Sequence, residues 1–176
     1  MSRITPMGAV VKGALAGAAG TLAMDLIWYR RYKQSGGGDD FVDWEFSAGT
    51  KGYDEAGAPA QVGKRVVEGL FQTELDPSTA AWMNNGVHWG TGIGWGTLYG
   101  LAAGSGRTPK VAFGPAFGAI AWLTSYVVLP LAKLYEPLWR YDARTLGRDL
   151  GAHLVFGSAS AAAFRALTTG SGRGRD

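Results

Sequence analysis

The chain has 176 residues, no cysteine, 28 glycines and a formal net charge of +3. That length suits one domain or one small helical bundle, and the lack of cysteine excludes disulfides, thiolate metal sites and a cysteine nucleophile. Charge placement says more than the total: residues 13–24, 89–105 and 111–132 carry no charge, while acids crowd between Asp39 and Asp76. The basic residues flank apolar runs and form no stripe, which argues against nucleic-acid binding.

The first apolar segment, residues 7–29, is "MGAVVKGALAGAAGTLAMDLIWY". It lacks a compact leucine-rich signal-peptide core and runs into "WYRRYK", an interfacial anchor for a membrane helix. Gly13 and Gly17 form a GxxxG, the spacing that lets membrane helices approach closely. Residues 30–81 form an extramembrane loop rich in acids and turn formers. Within it, Pro59 opens an amphipathic helix over 59–72, whose apolar face is Val62, Val66, Val67, Leu70 and Phe71. That helix either lies along lipid headgroups or covers the end of the bundle. "DPST", residues 76–79, supplies a turn and caps before the next segment.

The second segment, 82–103, reads "WMNNGVHWGTGIGWGTLYGLAA". Its glycine run is no phosphate loop, since no strand precedes it and no GK[ST] or later acid accompanies it. Gly92, Gly96 and Gly100 instead fall on one helical stripe. The third segment, 111–131, carries a further GxxxG at Gly114 and Gly118, and Pro115 and Pro130 mark expected kinks. The fourth covers 150–168, followed by a disordered tail over 169–176. Each segment approaches the roughly 20 residues that cross a bilayer. Lys12 and Arg165 lie near enough to the far interface to snorkel.

The fold class expected is all-α: an integral membrane four-helix bundle with an amphipathic helix in the long first loop. An even number of spans puts both termini on one side. The 17 Lys and Arg show no clear excess on either side, so the orientation stays open. The bundle also reads as two repeated hairpins. Asn84-x-x-x-His88-x-x-x-Gly92 matches Asp149-x-x-x-His153-x-x-x-Gly157, and Tyr99 matches Phe164 at the same offset.

This topology brings Asp25, Asn84, His88, Asp149 and His153 to one depth on the long-loop side, with Ser125 and Tyr126 nearby. Ionisable groups at membrane depth usually face a bundle interior or water. The cluster fits a proton or small-cation site for transport or sensing, a zinc, manganese or iron site, or a haem held by His88 and His153 with Gly92 and Gly157 making room. It equally fits a structural role, with Asn84 and Asp149 as helix caps and the histidines bonding across helices. No GxSxG, HExxH or serine triad is present, so no enzyme is expected and no resident cofactor is assigned. Expected partners are the lipid bilayer and either further copies of the chain, joined through small-residue faces, or another subunit of a membrane complex.

At "GALAGAAGTLAMDLIWYRRY" and "NNGVHWGTGIGWGTLYG" the sequence resembles small bacterial inner-membrane proteins of YagU-like type. The resemblance covers the span pattern over most of the chain. It implies a multi-span inner-membrane protein with a loose link to acid tolerance, and it transfers no site residues.

Overall fold

The computed structural model describes residues 4–46, 50–104 and 111–170. Within these the chain is all-helical. The first helix, α1 (Pro6–Gln34), starts where the Thr5 side chain accepts a hydrogen bond from the Gly8 amide, with Pro6 in the first turn. Both features satisfy or avoid free N–H groups at a helix start. Its 29 residues span about 44 Å, more than the hydrocarbon core of a bilayer at about 30 Å. The helix therefore runs five residues past the expected end at 29. Arg31 and Lys33 in its last turn complement the macrodipole, and it stops only near Gly36, at φ +94°.

The loop then folds back. Asp40 caps a five-residue helix, α2 (Phe41–Glu45), by accepting from the Asp43 amide at 2.9 Å. Phe41 and Trp44 pack on Tyr29 at 5.2 and 5.4 Å between ring centroids. The next helix, α3 (Ala58–Phe71), matches the expected 59–72 closely, but the face it turns to the protein is a different one. Ala60 and Gly63 are buried, with Gly63 set against Met83, whereas Val66, Leu70 and Phe71 are exposed. A flat glycine and alanine surface allows the close approach that bulky residues would prevent.

A short turn (Pro77–Thr79), capped by Asp76, leads into α4 (Ala80–Gly104). Another turn precedes α5 (Gly114–Leu131), and α6 (Ala143–Gly170) is the last described element: it takes in residues 169 and 170 of the tail expected to be disordered, while 171–176 lie outside the described residues. Asp142 caps α6 by accepting from the Arg144 and Thr145 amides at 2.9 and 3.0 Å. This cap starts the helix seven residues before the apolar stretch expected at 150. Neither proline kinks α5 in mid-helix: Pro115 lies in the first turn and Pro130 next to the last residue. Lys12 donates to the Leu167 carbonyl at 2.8 Å, at the end of α6.

Among the described residues three helices are long and apolar enough to cross a membrane: Pro6–Gln34, Val111–Leu131 and Ala143–Thr169. The asparagines, histidine and glycines of α4 leave it outside that set, although its length would suffice.

The long helices stand in the order α4, α1, α6, α5, each antiparallel to the next along two glycine seams. In the first seam Gly13 and Gly17 lie against Gly92, Gly96 and Gly100. In the second, Gly114 and Gly118 meet Gly157, Ala161 and the His153 carbonyl. These glycines are therefore consumed inside the chain, and any self-association must use other faces. The backbones of α4 and α5 do not pack closely, and aromatic rings bridge them. Phe117 lies 5.9 Å from Trp95, 5.0 Å from Tyr99 and 5.9 Å from Phe156. Tyr99 meets Phe164 edge-on at 5.7 Å. Below this layer, on the long-loop side, a gap stays open.

Candidate functional site

That gap is a cavity of about 520 Å³ between α4 and α5, floored by α1 and α6. Apolar side chains make most of its wall, with His88, Asp149, His153 and several hydroxyls, among them Thr124 and Ser125, as polar groups. A second chamber of about 360 Å³ lies towards α2 and holds Asp25, Glu45, Asn84 and Asn85. His88 lines both, as do Trp28, Ala58, Pro59 and Tyr135. The five residues singled out from sequence are thus divided between two adjoining chambers. Asp25 and Asn84 stand in the smaller one, Asp149 and His153 in the larger, and His88 belongs to both.

Asp25 comes from the fifth to sixth turn of α1, where the helix still runs against α4, and it is 4% exposed. Its Oδ1 lies 2.9 Å from His88 Nε2, while Oδ2 is buried without a hydrogen-bond partner. With the carboxylate ionised, Nε2–H is the donor, and the ring can be neutral or cationic without losing this bond. His153 is held differently. Its Nδ1 lies 2.9 Å from the Asp149 carbonyl and 3.4 Å from the Asp149 carboxylate, one turn back on the same helix. A carbonyl only accepts, so Nδ1 carries the proton and Nε2 is the acceptor of the neutral ring.

The two histidines therefore have unlike partners despite their matched spacing, and the seams explain why. Gly17 faces the Gly92 carbonyl and Gly96 as Gly114 faces the Gly157 carbonyl and Ala161. Counting two turns on from each, the position matching Asp25 is Trp122, which offers no carboxylate. His153 turns to its own helix instead.

Asn84 is the fifth residue of α4 and Asp149 the seventh of α6, so neither caps its helix. The Asn84 Oδ1 is buried without a partner beside Gly57. Tyr126 is buried, and its hydroxyl faces Asp149. Gly92 and Gly157 open onto different seams, against Thr21 and against Gly114 and Gly118, so together they make no room for a haem between the histidines. Among the described residues no three His, Asp or Glu side chains are grouped to hold a metal ion.

Sequence reasoning missed Glu45. It reaches the site because α2 folds back over α4: the Trp89 indole donates to Glu45 Oε1 at 2.7 Å, and Asn85 donates to the Glu45 carbonyl at 2.9 Å. Burial holds the Glu45 carboxyl above the usual carboxylate range, opposed by the Trp89 hydrogen bond and reinforced by the charge of Asp25. Tyr135, in the loop after α5, is likewise pushed up by burial and then by the charge of Asp149. The Asp40 cap ahead of "FVDWE" was the available signal for α2, but nothing local told where that helix would dock.

No family model matches the chain, and no curated protein or solved structure does either. The likeness to YagU-like proteins accordingly rests on the span pattern alone.

Proposed function

We propose that this is a four-span protein of the bacterial inner membrane that carries or senses protons or small cations through Asp25, Asn84, His88, Asp149 and His153. The observation that carries this reading is the position of His88. It is bonded to buried Asp25 at 2.9 Å and exposed to both chambers, the larger of which also holds His153 and Asp149. An imidazole that changes charge near neutral pH is suited to such a position.

Two features support α4 as the fourth span of a four-helix bundle. It has 25 residues without an Asp, Glu, Lys or Arg, and it lies antiparallel along α1 through the glycine seam. The matching contacts of Gly17 and Gly114, with Tyr99 against Phe164, support two repeated hairpins about an axis along the membrane normal.

The test is flux in vesicles reconstituted with the purified protein. His88→Ala and His153→Ala should each reduce proton or cation flux by roughly tenfold or more, with helical content unchanged by circular dichroism. Wild-type flux in both variants, together with a lower melting temperature, would show that the histidines only hold helices together.

A second reading, an accessory subunit or a self-associating scaffold, is favoured by one observation. Gly86, Gly90 and Gly94 form an outward stripe on α4 with nothing within 4 Å. Such a stripe fits a helix of another chain, either a second copy or a partner subunit.

A further inference from the structure

The smaller chamber has a chemistry that proton transfer alone does not use. Its polar wall carries Asp25, Glu45, Asn84, Asn85 and His88. Asp25 Oδ2 and Asn84 Oδ1 are both buried without a partner, and Asp25 is 4% exposed. Glu45 adds a second carboxyl to the same wall. Buried acceptors left unpaired are costly, and two facing carboxylates repel, so the wall calls for a ligand that is positively charged or rich in N–H groups.

The rest of the wall selects among cations. Trp28, Trp44 and Tyr135 line the same 360 Å³ space. A hard, strongly hydrated metal ion needs a shell of oxygens and gains little from indole faces. A weakly hydrated alkylammonium gains from both, because aromatic faces attract it while carboxylates neutralise it. Trp28 already engages one cation of this kind inside the chain: the Arg31 guanidinium sits 4.7 Å from its ring centroid, tethered to the Arg148 carbonyl at 3.0 Å. Arg31 does not line the chamber.

We propose that the chamber between α1, α2 and α4 binds a small organic ammonium cation, its nitrogen between Asp25 and Glu45 and its alkyl groups against Trp28 and Trp44. This names a substrate class for the cation-handling reading and rests on it. Glu45 becomes a specificity-determining residue carried by a helix outside the proposed spans, so α2 is part of the binding site as well as its cover.

The test is tryptophan fluorescence of the purified full-length protein, titrated with tetramethylammonium chloride and with sodium chloride at matched ionic strength. A saturable change is expected with tetramethylammonium only. Asp25→Asn and Glu45→Gln, which keep side-chain shape, should each weaken binding by roughly tenfold or more. Thermal melts establish that both variants are folded, and Glu45→Gln alone suffices if Asp25→Asn is not. The absence of a saturable change, or an unaltered Kd in the folded variants, overturns the assignment. Proton flux measured without any amine separates the two readings. Flux that depends on His88 without ammonium binding removes the ammonium site and leaves the proton reading. Binding without flux upholds the ammonium site and removes proton transfer.

Discussion

A methyl group added at Gly96 tests the packing that positions both chambers. A Cβ at Gly96 would fall 2.5 Å from the Gly13 carbonyl oxygen and closer still to the Gly17 backbone. Contacts between carbon atoms are best at about 3.5–4.0 Å, so α1 and α4 would have to part by roughly 1 Å. No flexible side chain can relieve the closest contacts, because the three nearest atoms are all backbone. A gap of about that width forfeits a quarter to a half of each dispersion contact along the seam. Overpacking of this kind costs about 1–3 kcal/mol. For a chain of this size that is a fall of about 2–4 °C in Tm per kcal/mol, measurable by thermal unfolding in detergent. Gly94→Ala supplies the control two residues away, where nothing lies within 4 Å. There the better helix propensity of alanine should raise stability by up to about 1 kcal/mol. Equal effects of Gly96→Ala and Gly94→Ala would refute the seam as described.

Two further outcomes are expected. Glu45 has a raised pKa in the folded protein, so the folded state holds its proton more tightly than the unfolded state. Its contribution is therefore most favourable below the ordinary carboxylate range and is lost as pH rises through the folded value. Asp25 and His88 are the charged and titratable groups that bear on the same carboxyl, and both stay in place in Glu45→Gln. The difference in Tm from wild type should shift in favour of Glu45→Gln between pH 4.5 and pH 7.5, and a constant difference would contradict it. Gly90→Leu on the outward stripe of α4 should reduce chemical cross-linking between copies in vesicles without lowering Tm, since no described residue lies within 4 Å of a Cβ placed there. Unchanged cross-linking would remove that stripe as an association surface.

How much of this was legible from sequence depends on the range of the forces involved. The uncharged runs of α1, α5 and α6 are visible in any window of about 20 residues, because length and hydropathy are local properties. The helix ends were less legible. The α6 start at Ala143 is set by the Asp142 side chain and continues through Arg144, Arg148 and Asp149, which an apolar window discards. The exposed Leu70 and Phe71 show the limit of amphipathic patterns: the period was right, yet α3 docks through Ala60 and Gly63 because close contact favours small residues. In the site, i and i+4 spacing placed Asp149 beside His153. The Asp25–His88 bond needed the register of two helices, and Glu45 needed the docking of a loop, neither of which spacing encodes.

His88 and Tyr135 are the two ionisable residues that line both chambers. Burial and the charge of Asp149 push the Tyr135 hydroxyl above its ordinary range, whereas an imidazole is the side chain suited to proton exchange near neutral pH. A charge placed in either compartment therefore meets the same ring. The α2 side and the α5 side thus share one side chain that both can perturb.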